Sequence, residues 1–208
     1  MSKPSTPSRG GTSFNRRDFL KGSGASMAAT AIAAGGVPAT AEASIAQKQA
    51  VSGATKVTLN VNGKDHEVTV EPRTSLLEVL RYHLNLTGCK DLEDVSVDGA
   101  DTVIIDGKAT YASTVLALQA RGKEIRTVES LAGNGQVDAV VSCFVKHDAM
   151  QCGYCTPGFV AATRAFLDKN PDASLEEIQK GLGGNICRCG TYDGITKCAL
   201  ELSGKGGA

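Results

Sequence analysis

Alternating apolar positions mark the first structured part of the chain. From Lys56 to Val70, valine and leucine fall at every second position on both sides of the pair Asn62-Gly63. A period of two around Asn-Gly is typical of a β-hairpin. The next stretch, TSLLEVLRYHL, has leucines at helical spacing and a capping box between Ser75 and Glu78, so it predicts a helix packed on the hairpin.

Further along, the pattern changes from mixed to helical. The segments TVIID (102–106) and EIRTVES (124–130) predict strands, and TVLALQARG (114–122) predicts a helix between them. This mixture predicts a compact α+β domain over residues 56–131, followed by the linker LAGNGQ. Beyond the linker, helical spacing and cap signals predict a second domain of four helices over residues 137–203. The four helices are predicted within the segments VDAVVSCFVKHDA, TPGFVAATRAFLDKN, SLEEIQKGLGG and TYDGITKCALEL.

The N-terminus has the order of regions found in a cleaved export signal. Arg16 and Arg17 precede a weakly apolar stretch rich in alanine and glycine, which ends in small residues up to Ala43. The Arg-Arg pair followed by Asp-Phe-Leu-Lys resembles a twin-arginine signal, which carries folded proteins to the periplasm; a disordered basic tail is the alternative. We therefore predict a signal peptide over residues 1–43, a linker over 44–55 and no membrane span.

Charge changes the picture once this segment is removed. The whole chain has 22 basic and 22 acidic residues. Residues 1–43 hold five Lys or Arg and two acids, so the remainder carries 17 basic and 20 acidic residues. Nothing in that remainder is basic enough to predict nucleic-acid binding.

Four of the seven cysteines form the strongest chemical motif. QCGYCTPG places Cys152 and Cys155 at C-x2-C spacing, and GNICRCGTY places Cys187 and Cys189 at C-x-C spacing. Folded export implies a cofactor inserted beforehand, so these cysteines are read as ligands before disulfides. Four thiolates suit zinc or an iron-sulfur cluster; the C-x-C pair favours a 2Fe-2S cluster, with zinc and two disulfides as alternatives. Three glycines allow the backbone to approach such a cluster: Gly153, Gly184 and Gly190.

These cysteines and their neighbours resemble the small iron-sulfur subunit of the molybdenum hydroxylases, the xanthine dehydrogenase and aldehyde oxidoreductase family. The resemblance extends back through VNG, Pro72, LLEVLR, LNLTG and Lys90. It implies a ferredoxin-like β-grasp domain, a four-helix 2Fe-2S domain, and a large partner subunit that holds molybdopterin, often with a flavin subunit. It also implies that Gln151 contacts the pterin of the partner.

The family binds a second cluster in the β-grasp domain, and here this chain departs from the pattern. The four ligand positions carry oxygen side chains: Glu93, Asp98, Asp101 and Ser113. Iron-sulfur clusters require thiolates, or imidazole in some cases, so we expect this cluster to be absent. The acidic loop from Asp91 to Asp101 is then either a solvated loop or a hard-cation site such as one for calcium.

The remaining cysteines and histidines predict no site. Cys89 is read as a lone thiol, and Cys143 and Cys198 as buried apolar side chains. The three histidines are read as ordinary residues: His66, His83 and His147.

The sequence thus predicts an electron-transfer subunit with one 2Fe-2S cluster and no substrate site of its own. Its expected partners are the molybdopterin subunit and a cytochrome or flavin subunit. The rival interpretation is a non-redox adaptor or export escort whose four cysteines hold a structural zinc ion.

Overall fold

A computed structural model describes residues 51–92, 97–133 and 135–204. The predicted signal peptide, Glu93 and Asp94 lie outside these residues. The described part after Ala50 belongs to one compact unit. Its main elements, in chain order, are β1 (Thr55–Val61), β2 (Lys64–Val70), α1 (Leu76–Glu78, continued by a π-helical turn, Val79–His83), β3 (Thr102–Ile105), β4 (Lys108–Tyr111), β5 (Glu124–Arg126), α2 (Ala139–Lys146), α3 (Thr156–Lys169), α4 (Leu175–Gly181) and α5 (Tyr192–Leu202).

The first hairpin confirms the alternation seen in the sequence. Strands β1 and β2 pair antiparallel, with Val57 opposite Val68. Asn62 and Gly63 both have positive φ, 54° and 75°, as a two-residue type I′ turn requires. The alternate apolar residues of both strands are buried in the core of the sheet.

Helix α1 begins at the predicted capping box. The hydroxyl of Ser75 accepts a hydrogen bond from the backbone N–H of Glu78, and the Glu78 carboxylate accepts one from the N–H of Ser75 at 2.7 Å. Leu76 and Leu80 are fully buried against the sheet. The predicted packing of this helix on the hairpin is therefore confirmed.

The five strands form one mixed sheet in the order β2-β1-β5-β3-β4. Strand β5 runs parallel to β1 and antiparallel to β3. Strand β4 was not predicted, because it is short and shows no buried alternation. A second turn with positive φ at Asp106 and Gly107 joins it to β3, and that Asp-Gly pair is the signal that identifies the hairpin.

The helix predicted over residues 114–122 is wrong. Only short 3₁₀ turns form there, at Ala112–Thr114 and Ala117–Ala120. The backbone of this segment is bonded to the chain just before α1: Leu76 N donates to Val115 O at 2.7 Å, and Ala117 N donates to Thr74 O at 2.9 Å. These long-range bonds take the groups that a helix would use internally.

The four predicted helices after Val137 are confirmed. Asp138 caps α2, and Ser174 with Glu177 forms the second predicted capping box, at the start of α4. The helices bury a core of their own, which includes Phe144, Phe159 and Ile195. A smaller contact joins the sheet to this half through Ile104 on β3, which packs on Ala161 and Ala165 of α3.

Candidate metal centre

The first cysteine pair lies in the loop between α2 and α3. Cys155 stands at the N-cap of α3 and is half-buried, whereas Cys152 is exposed. Gly153 between them has φ of +81°, a conformation that favours glycine over residues with a Cβ. Gly153 thus lets the chain turn between the two cysteines, just before α3 begins.

The second pair lies in the loop between α4 and α5. Cys187 is buried, and its backbone N–H donates to the hydroxyl of Tyr192 at 2.8 Å. The hydroxyl of Thr191 donates to the Cys187 Sγ at 3.1 Å. Gly190, with φ of +78°, turns the chain into α5. Cys189 remains exposed.

The four thiols meet two by two, one from each loop. Cys187 contributes to the raised pKa of Cys155, and Cys152 influences the pKa of Cys189, so each thiol of one loop lies close to a thiol of the other. Among the described residues, no three of these four sulfurs lie within 4.8 Å of one another. A single zinc ion needs all four donor atoms about 2.3 Å from one centre, so its ligands lie closer together than these four sulfurs do. Two separate thiol pairs match the two iron atoms of a 2Fe-2S cluster, so the donor set fits that group.

Hydrogen bonding gives the thiols of Cys155 and Cys187 different pKa values. Burial acts to raise the pKa of Cys187, but hydrogen bonds from Thr191 and from the neighbouring cysteines outweigh burial and lower that pKa to about 7. Burial, together with the bond to Cys187, raises the pKa of Cys155 to about 12. Thiols must lose their protons to bind iron, and of Cys155 and Cys187 it is Cys187 that is prepared to do so near neutral pH.

The described parts of the acidic loop, residues 91–92 and 97–101, contact the two cysteine loops. The N–H of Ile186, next to Cys187, donates to the backbone oxygen of Asp98 at 2.8 Å. The side chain of Asn185 donates to Gly99 O at 2.9 Å, and both residues are buried. On the other side, the hydroxyl of Tyr154 donates to Asp91 O at 2.9 Å. These described parts of the loop therefore support the cysteine site.

Two of the four replaced cluster positions touch in the structure. The N–H of Ser113 donates to the Asp101 carboxylate at 2.7 Å, and Asp101 is fully buried. The prediction of a solvated loop is therefore wrong at Asp101, whose carboxylate binds the start of the 3₁₀ turn that contains Ser113. Asp98 accepts a hydrogen bond from the N–H of Ala100. Among the described acids of the loop, no three side-chain oxygens gather within 4.8 Å.

The cysteines outside the candidate centre lie in the two hydrophobic cores, and His147 lies at the end of α2. Cys89 is buried in the sheet core, where burial first and then Glu129 raise its pKa to about 12. Cys143 and Cys198 are buried in the helical half, as predicted. His147, predicted to be an ordinary residue, follows α2 as its C-cap, and its Nε2 lies 2.7 Å from the Glu201 carboxylate. Sequence reasoning also missed Thr191, although its position two residues after Cys189 was a usable signal.

Comparison with known proteins agrees with this geometry. Residues 127–200 match the 2Fe-2S binding domain family, and residues 13–33 match the twin-arginine translocation signal family. The chain is 35% identical over 209 residues to the aldehyde oxidoreductase iron-sulfur-binding subunit PaoA of Escherichia coli O157:H7, covering 93% of this chain and 90% of that protein. It is 40% identical over 136 residues to the nicotinate dehydrogenase small FeS subunit of Eubacterium barkeri, covering 65% of this chain and 87% of that one. The crystal structure of quinoline 2-oxidoreductase from Pseudomonas putida 86 matches with a TM-score of 0.69 and 36% identity, over 73% of this chain and 94% of that one.

A mixed β-grasp sheet, followed by four helices with paired cysteine loops, defines a class of protein: 2Fe-2S electron carriers that consist of a ferredoxin-like part and a helical part. The extent of the sequence match narrows the class. The chain belongs to the family of iron-sulfur subunits of the molybdenum hydroxylases. This confirms the predicted fold class and family, and the twin-arginine match confirms the predicted export to the periplasm. Among the described residues, no helix is long and apolar enough to cross a membrane.

Proposed function

We propose that Cys152, Cys155, Cys187 and Cys189 hold one 2Fe-2S cluster, through which this exported subunit carries electrons away from a molybdopterin-containing large subunit. The observation that carries the proposal is the meeting of the four thiols as two pairs from two loops. When bound, such a cluster supplies one-electron transfer. Four thiolates leave no open position on the irons, so the substrate is oxidised in the partner subunit.

The residues around the thiols orient the ligands and tune their charge. Tyr192 accepts the backbone N–H of Cys187, which fixes that loop against the start of α5. Thr191 donates to the sulfur itself, which stabilises negative charge on it. Asn185 and the acidic loop behind it keep the second cysteine loop in place.

The exposed side of the site is suited to the partner. Large apolar side chains stand beside the cysteines, with Met150 40%, Tyr154 42% and Ile186 54% exposed. Such a cluster of exposed apolar residues around a functional site is typical of a protein interface. We place the molybdopterin subunit there, with Gln151, which is exposed beside Cys152, as the residue that contacts the pterin. In the complex, Gln151→Ala should slow reduction of the cluster by substrate while leaving its iron content unchanged.

The loss of thiolates from the sheet half changes the exit route for electrons. The replaced positions Asp98, Asp101 and Ser113 offer no thiolate to a second cluster, so the intermediate step toward a flavin is missing. We propose that electrons leave from the single cluster to a cytochrome or a comparable one-electron carrier. In the purified complex, substrate should reduce cytochrome c faster than it reduces an added flavin subunit; rapid reduction of the flavin would refute this route.

The cluster itself is tested by iron counting on the isolated subunit. A 2Fe-2S site predicts a red-brown protein with about two irons and two sulfides per chain, bleached by dithionite. Cys187→Ser should remove both the colour and the iron. Cys89→Ser changes a buried thiol of the sheet core and should retain them. A colourless protein whose stoichiometric zinc is lost in Cys187→Ser would instead establish the adaptor interpretation.

A further inference from the structure

A second group of metal-ligating side chains lies between α2 and α5, apart from the four cluster cysteines. Cys143 and His147 are four residues apart at the end of α2, so their side chains lie on the same face. Glu201 faces them from α5. One ligand atom from each of the three residues lies within 4.8 Å of the other two.

The three side chains of this group differ in burial, from the buried Cys143 to the more exposed His147 and Glu201. The Cys143 thiol is buried, with its sulfur 3.6 Å from the backbone oxygen of Cys198. The side chains of His147 and Glu201 are 21% and 40% exposed, and His147 Nε2 lies 2.7 Å from the Glu201 carboxylate. Two donors therefore stand at a rim that solvent reaches, and the third stands inside it.

One competitor already occupies part of this group. The ammonium group of Lys146 lies 2.7 and 2.8 Å from the two oxygens of Glu201 and is 62% exposed. A divalent cation would have to share or displace this contact. Ion pairs at such exposed positions are weak, about 0 to 1 kcal/mol, so Lys146 reduces the affinity of the site without closing it.

We propose that Cys143, His147 and Glu201 bind one Zn²⁺ ion, with water as the fourth ligand, in addition to the cluster held by the other cysteines. One sulfur, one imidazole nitrogen and one carboxylate oxygen form a donor set that suits zinc, a borderline metal that accepts all three. Binding displaces the proton of the Cys143 thiol to solvent and leaves the oxidation states unchanged. The ion ties α2, which leads into the first cysteine loop, to α5, which leaves the second.

The test uses the cluster-loaded, full-length exported chain under anaerobic conditions. After equilibration with Zn²⁺ and removal of free metal, we expect about one zinc together with about two irons per chain. His147→Gln should weaken zinc binding by about 100-fold, because losing a ligand costs at least as much as losing a residue that supports one. His83→Gln, which removes a histidine from the sheet half, should leave both metals unchanged. Lys146→Met should tighten zinc binding by about two- to fivefold.

X-ray absorption at the zinc edge identifies the ligands independently of iron. A shell that contains sulfur together with histidine nitrogen supports the site. A shell of four sulfurs would place zinc at the cluster cysteines and overturn the proposal. Equal zinc content in His147→Gln and the unaltered chain would also overturn the proposal. A chain that takes up no zinc and instead has a disulfide between Cys143 and Cys198 would overturn it as well.

Discussion

The hydrogen bond from Thr191 to Cys187 should control the reduction potential of the cluster. In Thr191→Val a methyl group replaces the hydroxyl at nearly equal volume. The Thr191 oxygen lies 3.1 Å from the Cys187 sulfur, and both residues are buried, so water does not replace the lost bond. The Thr191 side chain makes no capping bond to α5, and the change therefore does not remove a helix cap.

The expected magnitude follows from the charge on the sulfur. A hydrogen bond to a charged group contributes about 1.5 to 3 kcal/mol. It stabilises the reduced cluster more than the oxidised one, because reduction adds negative charge to the iron-sulfur unit. If about half of the bond energy distinguishes the two states, the difference is about 1 kcal/mol. For a one-electron couple this corresponds to a potential about 40 mV lower in the variant.

The measurement is a redox titration of the isolated, cluster-loaded subunit, followed by electron paramagnetic resonance. Thr196→Val, on the helix α5 that follows Thr191, is the matched control and should keep the original potential. Iron content must be equal in all three proteins. A potential that is unchanged or higher in Thr191→Val would show that this hydroxyl does not tune the cluster.

Three further predictions concern the loop, the lost cluster and the α2–α5 contact. Asn185→Ala removes the buried bonds that its amide donates to Gly99 O and to the Thr102 hydroxyl. Gly99 O keeps its two donors from Thr102, so the thermal midpoint should fall by about 2 to 4 °C in calorimetry; an unchanged midpoint would mean that water replaces the amide. Hydrogen bonds from Lys146 and then His147 lower the pKa of Glu201, so this contact stabilises the fold above pH 4.5 and is lost as the pH falls through the lowered pKa. Glu201→Gln should therefore show a smaller drop in thermal midpoint between pH 7 and pH 4 than the unaltered chain, and an equal drop would contradict the sign. Finally, all four thiolates of the lost cluster can be restored together by Glu93→Cys, Asp98→Cys, Asp101→Cys and Ser113→Cys. This variant should raise the iron content from about two to about four per chain and add a second paramagnetic signal. An iron content that stays at about two would show that the sheet half has lost more than its ligands.

Features set by neighbouring residues were predictable from the sequence. The Asn62-Gly63 turn and the capping box at Ser75 depend on bonds within four residues, and both are present. The cysteine spacings and the twin-arginine segment are equally local, and they led to the family and the export route. Strand β4 was not predicted because it is short and shows no buried alternation, although the local Asp106-Gly107 pair was a usable turn signal.

Features set by distant contacts were not predictable in the same way. The segment 114–122 contains good helix formers, but its backbone groups bond to Thr74 and Leu76. Asp101 reads as one more acid in a polar loop, and only the structure shows it buried against Ser113. The π-helical turn after α1 has no sequence signal either.

The amino-acid sequence by itself determined the donor chemistry, the helices that flank the cysteines and the loss of thiolates from the sheet half, since these depend on residue type and short spacing. The tertiary structure decided which thiols face each other, that Thr191 reaches the sulfur of Cys187, and that His147 meets Glu201, 54 residues away. The physical reason is that a side chain acquires its partner, its burial and its pKa only when separate elements pack together. Chain order alone does not specify that packing.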